Sequence, residues 1–184
     1  MCLILVAEGV DGTGKSTVAR MLAQKLGVAH YSTPPTAHLA RRHEMDANAS
    51  DLDHYQFYLT GVQIASRELK ELSLTNDVII LDRYWPTTVA YHRAMGIDAK
   101  LEDFGPLLMQ DLIMYFEVQP YIQMQRLTKS RIMSAGDMRM LSRMELLRAE
   151  YDKLLPCWKH IRIDTSNREV EDVTTELINK LPLT

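Results

Sequence analysis

Residues 9–16 read Gly9-Val10-Asp11-Gly12-Thr13-Gly14-Lys15-Ser16, with a lysine and a hydroxyl directly behind the last glycine. This G-x-x-x-x-G-K-S spacing suits phosphate. A glycine-rich turn lets successive backbone N–H groups converge on phosphate oxygens, the lysine reaches the β- and γ-phosphates, and the serine ligates Mg²⁺. Residues 2–7 are an apolar run that reads as a short buried strand, and residues 16–26 carry Val18, Met21, Leu22 and Leu26 on one helical stripe. Strand, glycine turn and helix in that order make Gly9, Asp11, Gly12, Thr13, Gly14, Lys15, Ser16 and Thr17 candidates for holding a nucleoside triphosphate. Ser16 is also a candidate metal ligand.

A second reactive set, Asp82-Arg83-Tyr84-Trp85, ends an apolar, β-branched run. Ligands of doubly wound sheets bind at the carboxyl ends of strands, so Asp82 and Arg83 are expected beside the phosphate loop. There Asp82 can hold Mg²⁺, directly or through water, and the Arg83 guanidinium can grip a second phosphate. Phosphoryl transfer spreads charge over equatorial oxygens, so it needs positioned cations more than proton chemistry. The loop has no arginine among Val10, Asp11, Gly12 and Thr13, which assigns a further cation to a basic lid at about residues 127–142. Arg131 leads the candidates, ahead of Arg126 and Arg139, with Arg143 beyond and Gly136 as the flexible point. Lys15, Asp82, Arg83 and Arg131 are thus the expected catalytic set.

The elements that must position these groups alternate in type. Beyond the first strand, short apolar runs at residues 28–32, 77–82, 112–116 and 160–164 read as strands, the second stopped by Pro34 and Pro35. Helical patterns fill residues 37–45, 51–72, 87–94, 120–129, 142–155 and 168–181. The expected fold is α/β: a phosphate-loop NTPase built as a doubly wound, five-stranded parallel sheet with helices on both faces and a basic lid. Nothing divides residues 1–184 into more than one domain.

Composition narrows the function classes. A net charge of −3 argues against a nucleic-acid surface, which needs clustered basic residues. The apolar N-terminal run is too short and lacks the basic flank of a signal peptide or membrane anchor, so a cytoplasmic enzyme is expected. Cys2 and Cys157 have no metal spacing and read as buried thiols. His30, His38, His43, His54, His92 and His160 are scattered and read as surface or loop residues. The eleven methionines read as core filler.

The segment Glu8 to Thr17, followed by Asp82-Arg83-Tyr84, Ala90-Tyr91 and Asp111-Leu112-Ile113-Met114-Tyr115-Phe116, resembles the thymidylate kinases over nearly the whole chain. Thr33-Pro34-Pro35, Phe57-Tyr58, Ala65-Ser66-Arg67-Glu68 and Asp82-Arg83-Tyr84-Trp85 are closer to the mitochondrial UMP/CMP kinase branch of that group. The resemblance implies transfer of the ATP γ-phosphoryl group, with Mg²⁺, to a pyrimidine nucleoside monophosphate. dTMP comes first; UMP/CMP or dUMP/dCMP are the alternatives. It also implies a homodimer. Carried over by position, Asp11 faces the acceptor sugar hydroxyl, Arg83 holds the acceptor phosphate, Phe57 stacks on the acceptor base, and Glu145 of Arg143-Met144-Glu145 is a weaker candidate. Tyr91 can line the same pocket, as can Trp85, and Arg41 with Arg42 can help hold the phosphate. The family's arginine four residues beyond its stacking aromatic is missing: that position is Gly61, or Val62 if Tyr58 is the stacker.

Two rival functions fit less well. A deoxynucleoside kinase must deprotonate a neutral hydroxyl and wants a carboxylate at the end of the second strand, where this chain has Ser32-Thr33-Pro34-Pro35. A GTPase switch needs Asn-Lys-x-Asp to read its base. Here Asn179-Lys180 is followed by Leu181-Pro182.

Overall fold

The structure is a computed structural model and describes residues 2–129 and 133–182. Strands β1 (Leu3–Glu8), β2 (Ala29–Ser32), β3 (Val78–Asp82), β4 (Leu112–Glu117) and β5 (His160–Asp164) form one parallel sheet in the order β2-β3-β1-β4-β5. The period of two along a strand sorts side chains to opposite faces. Ile4 and Val6 of β1 join Ile79, Leu81, Ile113 and Tyr115 in one core, while Leu5 and Ala7 join Ile80, Leu112, Met114 and Phe116 in the other. Both faces are covered, which is why β1 and β4 read as unbroken apolar runs.

Helices α1 (Lys15–Leu26) and α8 (Val170–Lys180) cover the second face through Val18, Leu22, Val173 and Leu177. The first face is covered by α3 (Asp51–Leu72), α4 (Trp85–Ala94) and α7 (Met144–Leu154), which contribute Leu59, Val62, Trp85, Val89, Leu147 and Tyr151. Trp85 is spent entirely in this core, its indole N–H donating to Gln110 Oε1 at 2.9 Å. α2 (Thr36–Asn48) follows the two prolines, and α3 opens on Ser50, whose hydroxyl accepts from the Asp53 N–H at 3.1 Å. α5 (Pro120–Lys129) follows β4.

Three expectations about side chains fail. The stretch expected as a lid has a helix of its own, α6 (Ala135–Met140), which Ser134 and Asp137 start as a capping box. Gly136, expected as a flexible point, is therefore helical, and a Cβ there would stand 3.3 Å from Asp46 Oδ2, so the glycine permits close approach of α6 to α2. His54 and His92 are buried, because both occupy inward positions of α3 and α4 and satisfy each other's ring nitrogens. The cysteines are not buried thiols: Cys157 is exposed on the turn before β5, and Cys2 is only partly covered. The methionines divide: Met114 is core, Met95 and Met140 line a cavity, and Met124 and Met138 are exposed.

Candidate active site

The phosphate loop runs from the end of β1 into α1. Gly9 has φ 139°, and a Cβ there would lie 2.4 Å from the Phe116 carbonyl of neighbouring β4. Only glycine fits that approach. The loop closes on itself through the Thr13 hydroxyl, which donates to Val10 O at 3.0 Å, and Gly14 caps α1 with φ 81°. Lys15 is buried and donates to the same Val10 carbonyl at 3.2 Å, with Nζ 3.6 Å from Asp11 Oδ1. Burial and the nearby Arg83 charge push its ammonium down to about 8. Ser16 and Thr17 follow in the first turn of α1.

Asp82 and Arg83 leave β3 beside this loop, where the Arg83 N–H donates to Ala7 O at 3.0 Å. Arg83 takes φ 67°, a left-handed conformation that side chains rarely adopt, and this turns its guanidinium back over the loop. It donates to Asp11 Oδ1 at 2.6 Å, the Thr87 hydroxyl at 2.9 Å and Gly9 O at 3.2 Å, and lies 5.4 Å from the Tyr91 ring centre. The Tyr91 hydroxyl donates to Asp11 Oδ2 at 2.6 Å. Burial alone would raise the Asp11 carboxyl, but the Arg83 and Lys15 charges outweigh it and hold Asp11 well below the usual carboxylate range. Asp82 is buried, and its Oδ1 has no hydrogen-bond partner among the described residues.

Glu8 carries no role in the sequence reading, yet it anchors the site. Wholly buried under the loop, it accepts from the Tyr84 N–H at 2.9 Å, the Tyr151 hydroxyl at 3.0 Å and the Thr87 hydroxyl, tying β1 to α4 and α7. Burial pushes its carboxyl up despite these donors. The one available signal was a charged residue closing an apolar strand. Gln123 of α5 was missed as well; its amide donates to the Asp11 carbonyl at 2.6 Å.

A cavity of about 410 Å³ opens from Asp11 and Arg83 and runs between α2, α3, α4 and α6, a volume suited to a small-molecule ligand. Thr33 and Pro34 close one side; Tyr58, Val62, Tyr91 and His92 form the helical wall. Of the expected acceptor residues, Asp11, Arg83 and Tyr91 meet here, and three do not. Phe57 stands beside the cavity with its ring 4.8 Å from His38, because one residue along α3 turns it about 100° away from Tyr58, which takes the wall position. Arg41 points outward toward Met45, and its neighbour Arg42 lines the cavity instead. Glu145 is exposed in the first turn of α7.

The lid arginines divide between two places. Arg126 donates to Thr165 O at 2.7 Å and Thr165 Oγ1 at 3.1 Å, on the phosphate-loop side, where Thr165 in turn donates to Thr13 O at 2.8 Å. Arg139 faces the cavity and donates to Ala49 O at 2.8 Å, Asp46 O at 3.3 Å and Asp51 Oδ1 at 2.7 Å, joining α6 to the end of α2. Arg143 reaches the Arg139 carbonyl at 3.4 Å. Arg131 lies outside the described residues.

A phosphate loop on a parallel sheet of this order, opening into a cation-lined cavity under a helical lid, defines a nucleotide kinase of the phosphate-loop class. The family model for thymidylate kinase matches residues 7–177, and the chain belongs to that family. It is 33% identical over 138 residues to the thymidylate kinase of Xylella fastidiosa strain M23, covering 68% of this chain and 64% of that protein. Over 188 residues it is 25% identical to a probable thymidylate kinase of Methanocaldococcus jannaschii, covering 97% and 95%. Its fold is similar to that of Candida albicans thymidylate kinase (TM-score 0.75, 19% identity, 97% of this chain and 90% of that one). The deoxyadenosine kinase of M. mycoides is also similar in fold (TM-score 0.75, 18% identity, covering 97% and 98%). No described helix is long and apolar enough to cross a membrane.

Proposed function

We propose that this chain transfers the γ-phosphoryl group of ATP to a pyrimidine nucleoside monophosphate, with dTMP the first acceptor. The reading is carried by Asp11, which stands between two cations: its Oδ1 lies 3.6 Å from Lys15 Nζ and 2.6 Å from Arg83 Nη2. Lys15 belongs to the donor's β- and γ-phosphates, and Arg83, at the mouth of the cavity, to the acceptor's phosphate. Between them lies the path of the transferred group. The acceptor phosphate oxygen is already anionic, so no general base is required. Thr33 and Pro34 line the cavity where a nucleoside kinase would need one.

The donor set suits Mg²⁺. Ser16 and Asp82 offer hard oxygen ligands, Asp82 Oδ1 is buried without a partner among the described residues, and this ion is commonly held by one or two protein groups plus phosphates and water. When bound, it neutralises charge on the phosphate oxygens. Asp82 and Ser16 would hold it, Lys15 and a lid arginine would follow the moving charge, and Tyr58 would stack on the base. With Val62 where the family places its base-reading arginine, dTMP and dUMP differ only by a methyl that pocket contacts resolve by about 1–3 kcal/mol. The homodimer implied by the family is part of the same reading.

Coupled ADP release with dTMP, dUMP, UMP, CMP and the free nucleosides tests the assignment. Expected are turnover with pyrimidine monophosphates, modest dTMP over dUMP selectivity and none with thymidine. Robust thymidine phosphorylation would move the assignment to a nucleoside kinase.

A further inference from the structure

Along α4, beyond the Arg83 end of the cavity, the wall contains a buried hydrogen-bond chain that the transfer chemistry does not use. His92 Nδ1 lies 2.6 Å from the Thr88 carbonyl, His92 Nε2 lies 2.8 Å from His54 Nδ1, and His54 Nε2 lies 3.2 Å from Asp46 Oδ1. The same Asp46 oxygen accepts the Tyr58 hydroxyl at 2.7 Å.

The ends of this chain fix its proton count. A carbonyl oxygen only accepts, and so does a carboxylate, so His92 Nδ1 and His54 Nε2 must each carry a proton. The bond between the rings needs a third. Two neutral imidazoles hold two protons, so the pair carries one more and a positive charge. Asp46 is a carboxylate here: burial would raise it, but the bonds from His54 and Tyr58 and the charge of Arg42, 3.4 Å away, hold it below the ordinary range.

We propose that the His54–His92 pair shares three ring protons and that His54 is a positioning residue for the acceptor nucleotide, tying Asp46 of α2 and His92 of α4 to the helix that presents Tyr58 to the cavity. The positioning role rests on the kinase reading; the proton count does not. The charged and titratable groups around the Asp46–His54–His92 chain are Arg42 from α2, Asp51, Tyr55 and Tyr58 from α3, and Arg139 from α6. Removing the third proton sets two lone pairs against each other within the chain and loosens the wall. Acceptor affinity therefore falls as pH rises.

The proton count is read from nitrogen-15 spectra of the histidine rings in the full chain at neutral pH, assigned with His54→Gln and His92→Asn. Three protonated nitrogens across the pair are expected, and two would overturn the inference. Above about pH 7 an acceptor phosphate is dianionic and adds little pH dependence of its own. In that range the acceptor KM should rise with pH. His54→Gln should raise the acceptor KM about tenfold, comparable to one hydrogen bond to a charged group, keep kcat and lose the pH dependence. A folded His54→Gln enzyme with an unchanged acceptor KM overturns the positioning role. If that variant does not fold, loss of the third proton in the unsubstituted chain without a change in acceptor binding does the same. No transfer to any acceptor would overturn the kinase reading and the positioning role together. A two-proton pair in an active kinase would overturn this inference alone.

Discussion

Arg83 and Lys15 reach the same oxygen of Asp11, Nη2 at 2.6 Å and Nζ at 3.6 Å. One carboxylate thus holds a buried lysine and a half-buried arginine. On the proposed reading each cation would find a phosphate as a second anionic partner when substrate arrives.

Replacing Arg83 with alanine should therefore separate the two substrates. The acceptor KM is expected to rise by about 10- to 100-fold, the loss of a charged hydrogen-bonding fork, while ATP affinity stays close to the original. Steady-state kinetics with each substrate varied in turn decide it. Unchanged acceptor kinetics would remove Arg83 from the acceptor site.

Lys15→Met should fold and lose at least about 10²-fold in kcat, or roughly 3 kcal/mol of transition-state stabilisation. A pH signature accompanies it. Because folding depresses the Lys15 pKa from 10.5 to about 8, the folded state binds fewer protons between those values. The resulting destabilisation is complete below about pH 8 and fades as pH climbs toward 10.5. Without nucleotide, denaturant midpoints of Lys15→Met should exceed those of the unsubstituted chain by most near pH 7, with the gap narrowing at pH 10.

The lid arginines should divide by kinetic constant. Arg139 donates to the carbonyls that end α2 and to Asp51, so Arg139→Ala is expected to lower Tm and raise the acceptor KM while sparing kcat. Arg131→Ala is expected to lower kcat by about 10³-fold or more, as a transition-state arginine does. If alanine at Arg126, Arg131, Arg139 and Arg143 each left kcat within a few fold, the lid would not supply the catalytic cation.

Two glycines with positive φ should respond unequally. At Gly9 a Cβ would stand 2.4 Å from the Phe116 carbonyl, whereas at Gly27, φ 65°, nothing lies within 4 Å. Gly27→Ala should cost about 1 kcal/mol from backbone conformation alone. Gly9→Ala adds a backbone collision and should cost several times more in urea unfolding, or prevent folding.

The sheet, its helices and the phosphate loop were legible because apolar runs and glycine spacing are local properties of the chain. Asp82 and Arg83 were legible too, since strand ends gather at one edge of a parallel sheet. What escaped depended on helix rotation. Phe57 and Tyr58 are neighbours in sequence, and only the packing of α3 decides which one turns toward the cavity; the same holds for Arg41 and Arg42 on α2. The burial of His54 and His92 was hidden because each looks exposed until the other supplies its hydrogen-bond partner. α6 was written in Ser134 and Asp137, but a glycine between them read as a hinge.

The left-handed backbone at Arg83 has an evolutionary consequence. A residue with a Cβ at φ 67° strains its own main chain by about 1–2 kcal/mol, a strain that glycine would not feel. Selection for a sturdier fold and selection for turnover therefore pull in opposite directions at this position. Glycine at this position would shed that strain and, with it, the guanidinium's bonds to Asp11, Thr87 and the Gly9 carbonyl, so on the proposed reading the chain would trade its grip on the acceptor for a relaxed main chain.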